Sequence, residues 1–310
     1  MLRGLAERLL QLILTTAGAL VLVFFLMRVV PGDPAAAMLG TSASPEAVAD
    51  LRAQLGLDRP LLQQFVDYLA GLAQLDLGRS LALRTPVSTL LWQALIPTIL
   101  LTIGGTLVSL LVGVPLGIVA ALRRGTWIDY LASVVALLGV SVPVFVWGVL
   151  LLLVFALHWP LLPSGGAGST PVDVAKALVL PSIATGLFQA GLVTRITRSS
   201  LIAVMGQDYV RTARAKGLAP WVVTNRHVLR NGLIPVITIV GLNVGTLFGG
   251  TIVVESIFAR PGLGRLMLDA ISARDYPVIQ GIVIVSVVFV VVMNLLIDVL
   301  YTAVDPRVRA

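Results

Sequence analysis

Long apolar runs, each close to the ~20 residues that a bilayer core requires, constrain this chain more than any other feature. The sequence is 57% hydrophobic and 12% charged, a composition that one soluble core cannot accommodate. We therefore predict an all-α polytopic membrane protein with six transmembrane helices. The predicted spans are Leu9–Val30, Thr98–Leu122, Tyr130–Leu157, Ala177–Ile202, Leu233–Ile257 and Val278–Val304.

The charged residues between the runs predict their orientation. Placing both termini, the Arg123–Arg124 turn and the segment Asp208–Pro235 inside leaves a clear basic excess inside and near balance outside. Because lysine and arginine are retained on the cytoplasmic side, we expect both termini to be cytoplasmic. The same rule accounts for the formal net charge of +7, so no nucleic-acid partner is predicted.

The longest polar insert, residues 31–97, is predicted to be a small helical extracytoplasmic cap. Ser44–Glu46 is typical of a helix start, and Gly56 of a stop after Leu55. A second helix is expected to open near Asp58 and Pro60, with apolar residues on one stripe at Leu61, Phe65, Leu69 and Leu72. The predicted regions are the N-terminus with the first helix (1–30), the cap (31–97), the transmembrane core (98–304) and a cytoplasmic tail (305–310).

Glycines and prolines are frequent in the central runs. Small residues let membrane helices approach closely, whereas proline produces kinks. Both properties suit static packing as well as a moving pore. The residues concerned are Gly104, Gly105, Gly113, Pro115, Gly117, Gly139, Pro143, Pro181 and Gly186.

The segment Asp208–Pro235 interrupts the apolar sequence with a cluster of basic residues. Asp208 is predicted as an N-cap, Gly217 as a left-handed stop, and Pro220 as the first turn of a second helix that ends at Asn231-Gly232. A basic pair of helices between two spans fits a hairpin lying on anionic lipid. It equally fits a docking surface for a cytoplasmic partner.

The residues of this segment resemble the cytoplasmic coupling loop of ABC importer permeases, in particular their dipeptide, oligopeptide and nickel branch. The resemblance rests on Ala213–Gly217, Arg226–Asn231 and Leu233–Pro235. The general pattern has Glu-Ala-Ala, three residues, Gly, and later Pro. Here Arg211-Thr212-Ala213 and Arg230 replace parts of it, as in the peptide branch. Other segments resembling that branch are Pro31–Pro34, Leu57–Pro60, Asp76–Ser80, Glu255–Phe258, Pro261–Gly264 and Arg274–Pro277.

The resemblance implies a permease subunit of an ATP-driven importer in the bacterial inner membrane. It also implies a paralogous permease subunit, two ATP-binding subunits and an external substrate-binding protein as partners. The residues expected to couple this chain to an ATP-binding subunit are Arg211, Thr212, Ala213, Arg214, Lys216, Gly217, Arg226, His227 and Arg230.

Motifs for catalysis or cofactors are missing from the sequence. There is no GxxxxGK[ST] loop, no cysteine, and only two isolated histidines, His158 and His227. We predict no catalytic, cofactor or metal site and no enzymatic activity in this chain. ATP hydrolysis is expected in the partner subunits that the resemblance implies.

Polar residues inside the runs are candidates for the pore. They are Gln189, Asn243 and Asn294, and hydrogen bonds between helices are the alternative role for Gln189 and Asn243. Arg195, Arg198 and Asp298 are expected to lie close enough to the membrane surface to extend toward it. A self-sufficient secondary transporter would require a carboxylate near mid-membrane, and the sequence indicates none. That alternative is therefore disfavoured.

The resemblance covers transporters of peptides and of nickel, so it leaves both as alternatives for the substrate. A nickel path would benefit from imidazole, thiolate or carboxylate ligands. Amide side chains such as that of Asn243 suit a neutral, amide-rich solute better. We expect di- or oligopeptides as the substrate, delivered by the external binding protein, with nickel as the alternative.

Overall fold

The computed structural model describes residues 2–29, 33–39, 43–54 and 56–304. The predicted tail 305–310, Pro31-Gly32 and Leu55 lie outside these ranges. Within them the regular elements are helices, which confirms the predicted all-α class. The helices are α1 Leu2–Val29, α2 Pro34–Leu39, α3 Pro45–Gln54, α4 Leu61–Ala73, α5 Val87–Leu122, α6 Trp127–Ser141, α7 Val144–Leu152, α8 Pro171–Met205, α9 Asp208–Ala215, α10 Pro220–Val222, α11 Arg230–Gly232, α12 Ile234–Ile257, α13 Leu263–Ser272 and α14 Tyr276–Val304.

Four helical stretches of the described chain are long and apolar enough to cross a membrane, and a bent pair adds a fifth. The four are Val87–Leu122, Pro171–Met205, Pro220–Ile257 and Tyr276–Ile297. In α1 the described apolar stretch Ile13–Phe25 is shorter. The predicted count of six spans is thus supported only roughly. The second predicted span also starts earlier than expected, because α5 begins at Val87 rather than at Thr98.

The predicted span Tyr130–Leu157 is a bent pair of helices. It consists of α6 and of α7 continued by a π-helical turn to His158, bent by 98°. The bend lies at Val142-Pro143, where both residues adopt extended ψ angles of 121° and 144°. Proline lacks a backbone N–H and pushes the preceding residue out of the helical region, so the helix must stop there.

The described residues divide into two compact units, the first formed by Met1–Pro97 and Pro261–Val291. In this unit Phe24 of α1 packs on α4, with its ring centroid 5.0 Å from that of Phe65. The Arg28 guanidinium lies 3.4 Å from the Phe24 ring centroid and donates to Gln64 Oε1 at 3.0 Å. The predicted stripe on α4 is covered only in part, since Phe65 is half-buried whereas Leu61 is exposed.

A buried carboxylate, Asp275, organises another part of this first unit. It accepts hydrogen bonds from Ser80 Oγ and from the backbone N–H groups of Leu81 and Ala82, the latter two at 3.1 and 3.2 Å. These contacts join the turn after α4 to the residue that precedes α14. A fully buried carboxylate requires such donors to offset its lost hydration. Two sequence segments that the resemblance singled out separately therefore meet here.

The second unit comprises Thr98–Arg260 and Val292–Ala310 and is built around α8. Gly113 of α5 lies so close to α8 that a Cβ would sit 2.8 Å from Ala190 O, and one on Gly117 would sit 2.7 Å from Thr194 O. On the other side, a Cβ at Gly139 of α6 would sit 2.9 Å from Leu187 O. The glycines do allow close helix approach, as predicted.

This close approach gives a test with a matched control. Gly113→Ala is expected to destabilise the folded chain by about 1–3 kcal/mol, because the added methyl overpacks the contact with α8. In Gly250→Ala of α12, no atom lies within 4 Å of the new Cβ. The free energy of unfolding should therefore be unchanged or higher, because alanine favours a helix more than glycine does. Thermal unfolding of the purified chain in detergent measures both. Equal melting temperatures would contradict the packing described.

Candidate functional site

The basic segment between α8 and α12 folds as two helical pieces, but the predicted end of the second piece at Asn231-Gly232 is wrong, because the helical stretch continues through Leu233 into α12. We name residues 208–232 the basic hairpin. The first piece is α9; the second runs from α10 through a π-helical turn, Val223–Leu229, into α11. The predicted N-cap is wrong by one position, because Gln207 has the extended backbone that precedes a helix and Asp208 is already helical. Pro220 occupies the first turn of the second piece, as expected.

Gly217 sets the turn between the two pieces. Its φ of 75° confirms the predicted left-handed stop. Its N–H donates to Arg214 O at 2.9 Å, and the next N–H, of Leu218, donates to Ala213 O at 3.4 Å. No atom lies within 4 Å of a Cβ built on Gly217, so the backbone conformation, not space, favours glycine here.

The hairpin rests on an apolar underside. Val210 and Ala213 of α9 and Val223 and Val228 of the second piece are buried together. They pack on Ala121 and Leu201, near the ends of α5 and α8. Ala213, which the sequence assigned to the coupling surface, therefore belongs to the interior of the hairpin.

Hydrogen bonds fix the far end of the hairpin. Ser200 Oγ of α8 donates to Gly232 O at 2.7 Å, and Gly232 packs directly on Leu201. Asn231 Nδ2 donates to His227 O at 2.9 Å and to the Tyr209 hydroxyl at 3.2 Å, so it links the second piece to α9. The hairpin is thus held rigidly against the end of α8.

The opposite face of the hairpin is exposed and strongly basic. The exposed predicted residues are Arg211, Thr212, Arg214, Lys216, Gly217, Arg226 and Arg230, whereas His227 is half-buried. Asp208 lies 3.5 Å from Arg211, but both side chains are largely in solvent, so this pair contributes little. The surface is therefore suited to carboxylates or phosphates of a partner.

An ion pair between α6 and α8, in which Asp129 is buried and Arg198 is half-buried, was not predicted. Arg198 of α8 donates through Nε and a terminal nitrogen to both oxygens of Asp129, at 2.6 and 2.8 Å. The Gly125 N–H also donates to Asp129, at 3.0 Å. Asp129 in the first turn of α6 pairs with Arg198, whose side chain stays 33% exposed, so the extension of Arg198 toward the membrane surface stays a prediction. The two residues are 69 positions apart, and no local pattern connects them.

The three predicted pore residues have different environments. Gln189 is 5% exposed within α8, and its Nε2 has no hydrogen-bond partner among the described residues. Asn243 of α12 is half-buried and lies near Thr246 Oγ1, at 3.5 Å, while Asn294 of α14 is exposed. Sequence reasoning missed Glu255, which is buried in the last turn of α12.

Comparison with known proteins decides the family. Residues 113–310 match the model of the binding-protein-dependent transport system inner membrane component, and residues 1–102 match the N-terminal model of such membrane components. The chain belongs to this family. It is therefore a multi-pass inner membrane protein and a translocation subunit, and ATP hydrolysis belongs to separate subunits.

Relatives of this permease match along its full length. It is 39% identical to the dipeptide transport system permease protein DppB of Escherichia coli K12, over 100% of this chain and 99% of the relative. It is 43% identical to the glutathione transport system permease protein GsiC of Salmonella typhimurium LT2, with the same coverage. The resemblance to the peptide branch of ABC importer permeases is confirmed.

Solved structures share the fold of this permease at low sequence identity. An inward-facing form of the MetNI methionine ABC transporter has a TM-score of 0.59 at 16% identity, covering 70% of this chain and 96% of that one. An amino acid ABC transporter crystallised with histidines has a TM-score of 0.53 at 15% identity, covering 70% and 94%. Both likenesses concern the fold alone.

The turn at Gly217 generates a prediction about the hairpin. Gly217→Val should destabilise the hairpin locally by about 1–2 kcal/mol, because a side chain disfavours the left-handed region. Amide hydrogen exchange across residues 208–232 should then accelerate roughly tenfold. Gly206→Ala is the matched control, since Gly206 has a φ of −81° that alanine adopts freely. Unchanged exchange in Gly217→Val would contradict the turn described.

Proposed function

We propose that this chain is one membrane-spanning permease subunit of an ATP-driven importer that takes up di- or oligopeptides delivered by an external binding protein. The observation that carries the proposal is the basic hairpin, whose apolar underside fixes it to α5 and α8 while its arginines face outward. Relatives named for dipeptide and glutathione transport support a peptide as the cargo.

The partners follow from the family. A second, paralogous permease subunit completes the pathway, and two ATP-binding subunits lie beneath the pair. The exposed arginines and Lys216 of the hairpin bind an acidic cleft of one ATP-binding subunit, where charge complementarity sets specificity and association rate. Closure of the ATP-binding subunits then shifts the equilibrium between inward- and outward-open arrangements, because the two arrangements bind the closed dimer with different affinity.

The exposed face of α12 supports a polar solute path. Thr246, Gly249, Gly250 and Ser256 are exposed on this helix beside half-buried Asn243, and the apolar residues exposed among them are Leu242 and Val253. The exposed residues of α5 are instead largely apolar, as Leu100, Ile103, Leu107 and Leu111 show. Lipid tails can cover an apolar helix face without loss of hydrogen bonds. Hydroxyl, amide and backbone carbonyl groups can instead form hydrogen bonds with a peptide. We assign Asn243 and Asn294 to the path; buried Gln189 contacts the solute only in another conformation.

The proposed orientation has both termini and the hairpin in the cytoplasm. Ser164 lies between α7 and α8, Ala215 lies in the hairpin, and both are exposed. Because the chain has no cysteine, Ser164→Cys and Ala215→Cys can each be labelled alone. An impermeant thiol reagent added outside intact cells should label only Ser164→Cys. Labelling of Ala215→Cys alone would contradict the orientation.

The proposed function is tested by reconstituting the complex in liposomes with its binding protein outside and ATP inside. Labelled dipeptide, a longer peptide and nickel are offered separately, and accumulation of a peptide that depends on ATP is expected. Arg214→Glu should reduce both uptake and co-purification of the ATP-binding subunit by tenfold or more, as charge reversal at a desolvated contact costs about 2 kcal/mol or more.

Arg214→Lys is the matched control, since it keeps the charge and should retain most of the uptake. Nickel accumulation without peptide accumulation would overturn the cargo assignment. Peptide uptake that needs no ATP would instead indicate a self-sufficient secondary transporter.

A further inference from the structure

The turn between α5 and α6 carries two arginines beside two exposed aromatic rings. Arg123 and Arg124 are exposed, and neither forms an ion pair with another residue that the structure describes. At the start of α6, Trp127 is 72% exposed and Tyr130 is 68% exposed. Exposed tryptophan and tyrosine beside basic residues are typical of the boundary between lipid headgroups and acyl chains. The turn therefore has the chemistry of a headgroup site.

This turn lies at the same end of the second unit as the basic hairpin. Ala121, two residues before it, is buried in one cluster with Val210 and Val228 of the hairpin. Asp129, which follows the turn, is bonded to Arg198 and not to the arginines of the turn. Under the proposed orientation both arginines therefore face the cytoplasmic leaflet, whose anionic lipids attract basic side chains.

An apolar cavity of about 120 Å³ lies deeper along α6. It is lined by Val135 and Leu138 of α6 together with residues of α5, α7 and α8. The hydroxyl of Thr194 in the lining donates to Ala190 O at 2.8 Å. Trp147 Nε1 has no hydrogen-bond partner among the described residues, but a buried water needs at least two polar partners. A cavity of this kind stays free of water and takes up hydrocarbon.

An exposed apolar stripe on α6 connects the turn to the cavity. Leu131, Val134 and Leu138 are exposed along it, and Ser133 is the exposed polar residue among them. From Trp127 to Leu138 the helix rises roughly 16 Å, at about 1.5 Å per residue. Half of the hydrocarbon core of a bilayer is about 15 Å thick. The cavity therefore lies at the depth that the end of an acyl chain reaches when its headgroup is at the turn.

We propose that this surface binds one anionic phospholipid of the inner leaflet. Arg123 and Arg124 bind its phosphate, since guanidinium groups form charge-assisted hydrogen bonds with phosphate oxygens. Trp127 and Tyr130 flank the glycerol region, and one acyl chain follows α6 until its end fills the cavity. We name these four residues and the cavity the lipid site. The inference rests on the proposed function only for the choice of leaflet.

The headgroup contact is tested in the complete complex, delipidated in detergent and titrated with phosphatidylglycerol or phosphatidylcholine. Native mass spectrometry counts the lipids that stay bound. Wild type should retain one phosphatidylglycerol in preference to phosphatidylcholine. Arg123→Gln combined with Arg124→Gln should weaken that binding at least about tenfold, because each arginine contributes to attraction of an anionic lipid. Arg123→Lys combined with Arg124→Lys is the matched control, which keeps both charges and should retain most of the binding.

Two outcomes would assign the arginines to another ligand and overturn the lipid site. One is full displacement of phosphatidylglycerol by free glycerol phosphate, which would indicate a site for soluble phosphates. The other is unchanged phosphatidylglycerol binding in the double glutamine variant together with loss of the ATP-binding subunit, which would indicate a protein contact.

The acyl-chain contact is tested by filling the cavity. Val135→Phe places a ring at a lining position that is also exposed, so the fold can accommodate it. Val134→Phe is the matched control, because Val134 is exposed on the same helix but does not line the cavity. Val135→Phe should weaken phosphatidylglycerol binding several-fold, and Val134→Phe should not. A short-chain phosphatidylglycerol, whose tails do not reach the cavity, should bind wild type and Val135→Phe equally. Equal binding of the long-chain lipid by both variants would contradict occupancy of the cavity.

Failure of this inference is distinguishable from failure of the proposed function, because lipid binding is measured without transport. A complex that retains phosphatidylglycerol selectively but takes up no peptide contradicts the proposed function alone. A complex that transports peptide but binds phosphatidylglycerol and phosphatidylcholine equally contradicts the lipid site alone.

Discussion

The second unit depends on close contacts between glycines of α5 and α6 and the backbone of α8. Gly113 and Gly117 of α5 and Gly139 of α6 face backbone carbonyls of α8, so these helices approach more closely than any side chain allows. In a membrane, where helices gain little from hydrophobic association, such contact is the main source of packing energy. A buried helix held in this way moves as a rigid body or not at all.

The rigid helix α8 connects two distant parts of the second unit. One end of the helix passes through Gly206 and Gln207 into the basic hairpin, and the other follows the loop that contacts Phe258. At 35 residues and about 1.5 Å per residue, the helix spans roughly 50 Å. Such a helix can carry a displacement of the hairpin to the loop that contacts Phe258. Under the proposed function, this single helix couples ATP binding to the opening of the pathway.

Two polar pairs between helices of the second unit each contain a buried carboxylate. Asp129 of α6 pairs with Arg198 of α8, and Glu255 of α12 accepts a hydrogen bond from Thr98 of α5. Each pair joins α8 or α12 to a different helix. Because a buried charge that loses its partner is strongly unfavourable, these pairs specify which helix ends stay together.

Local signals were sufficient for much of the fold. Apolar length predicted most of the long helices, and Gly217 was recognised because a left-handed stop depends on one residue and its neighbours. Proline was ambiguous: Pro143 ends a helix, whereas Pro181 lies inside α8 without interrupting it. The difference depends on how neighbouring helices pack. The pairing of Asp129 with Arg198 escaped prediction for the same reason.

Burial also separated residues that the sequence grouped together. Ala213 and Arg214 are adjacent, but one forms the underside of the hairpin and the other its exposed face. Glu255 was placed in a predicted span, but its burial in the last turn of α12 was not predicted. A helical period indicates which residues share a face, but only tertiary packing decides which face is covered.

The central claim is that the exposed face of the hairpin contacts an ATP-binding subunit. The most direct measurement attaches a photoactivated cross-linker to Ala215→Cys in native membranes and identifies the adduct by mass spectrometry. The account predicts an adduct with an ATP-binding protein whose yield changes when ATP and vanadate are added. Adducts with phospholipid alone would contradict the account and assign the hairpin to the membrane surface.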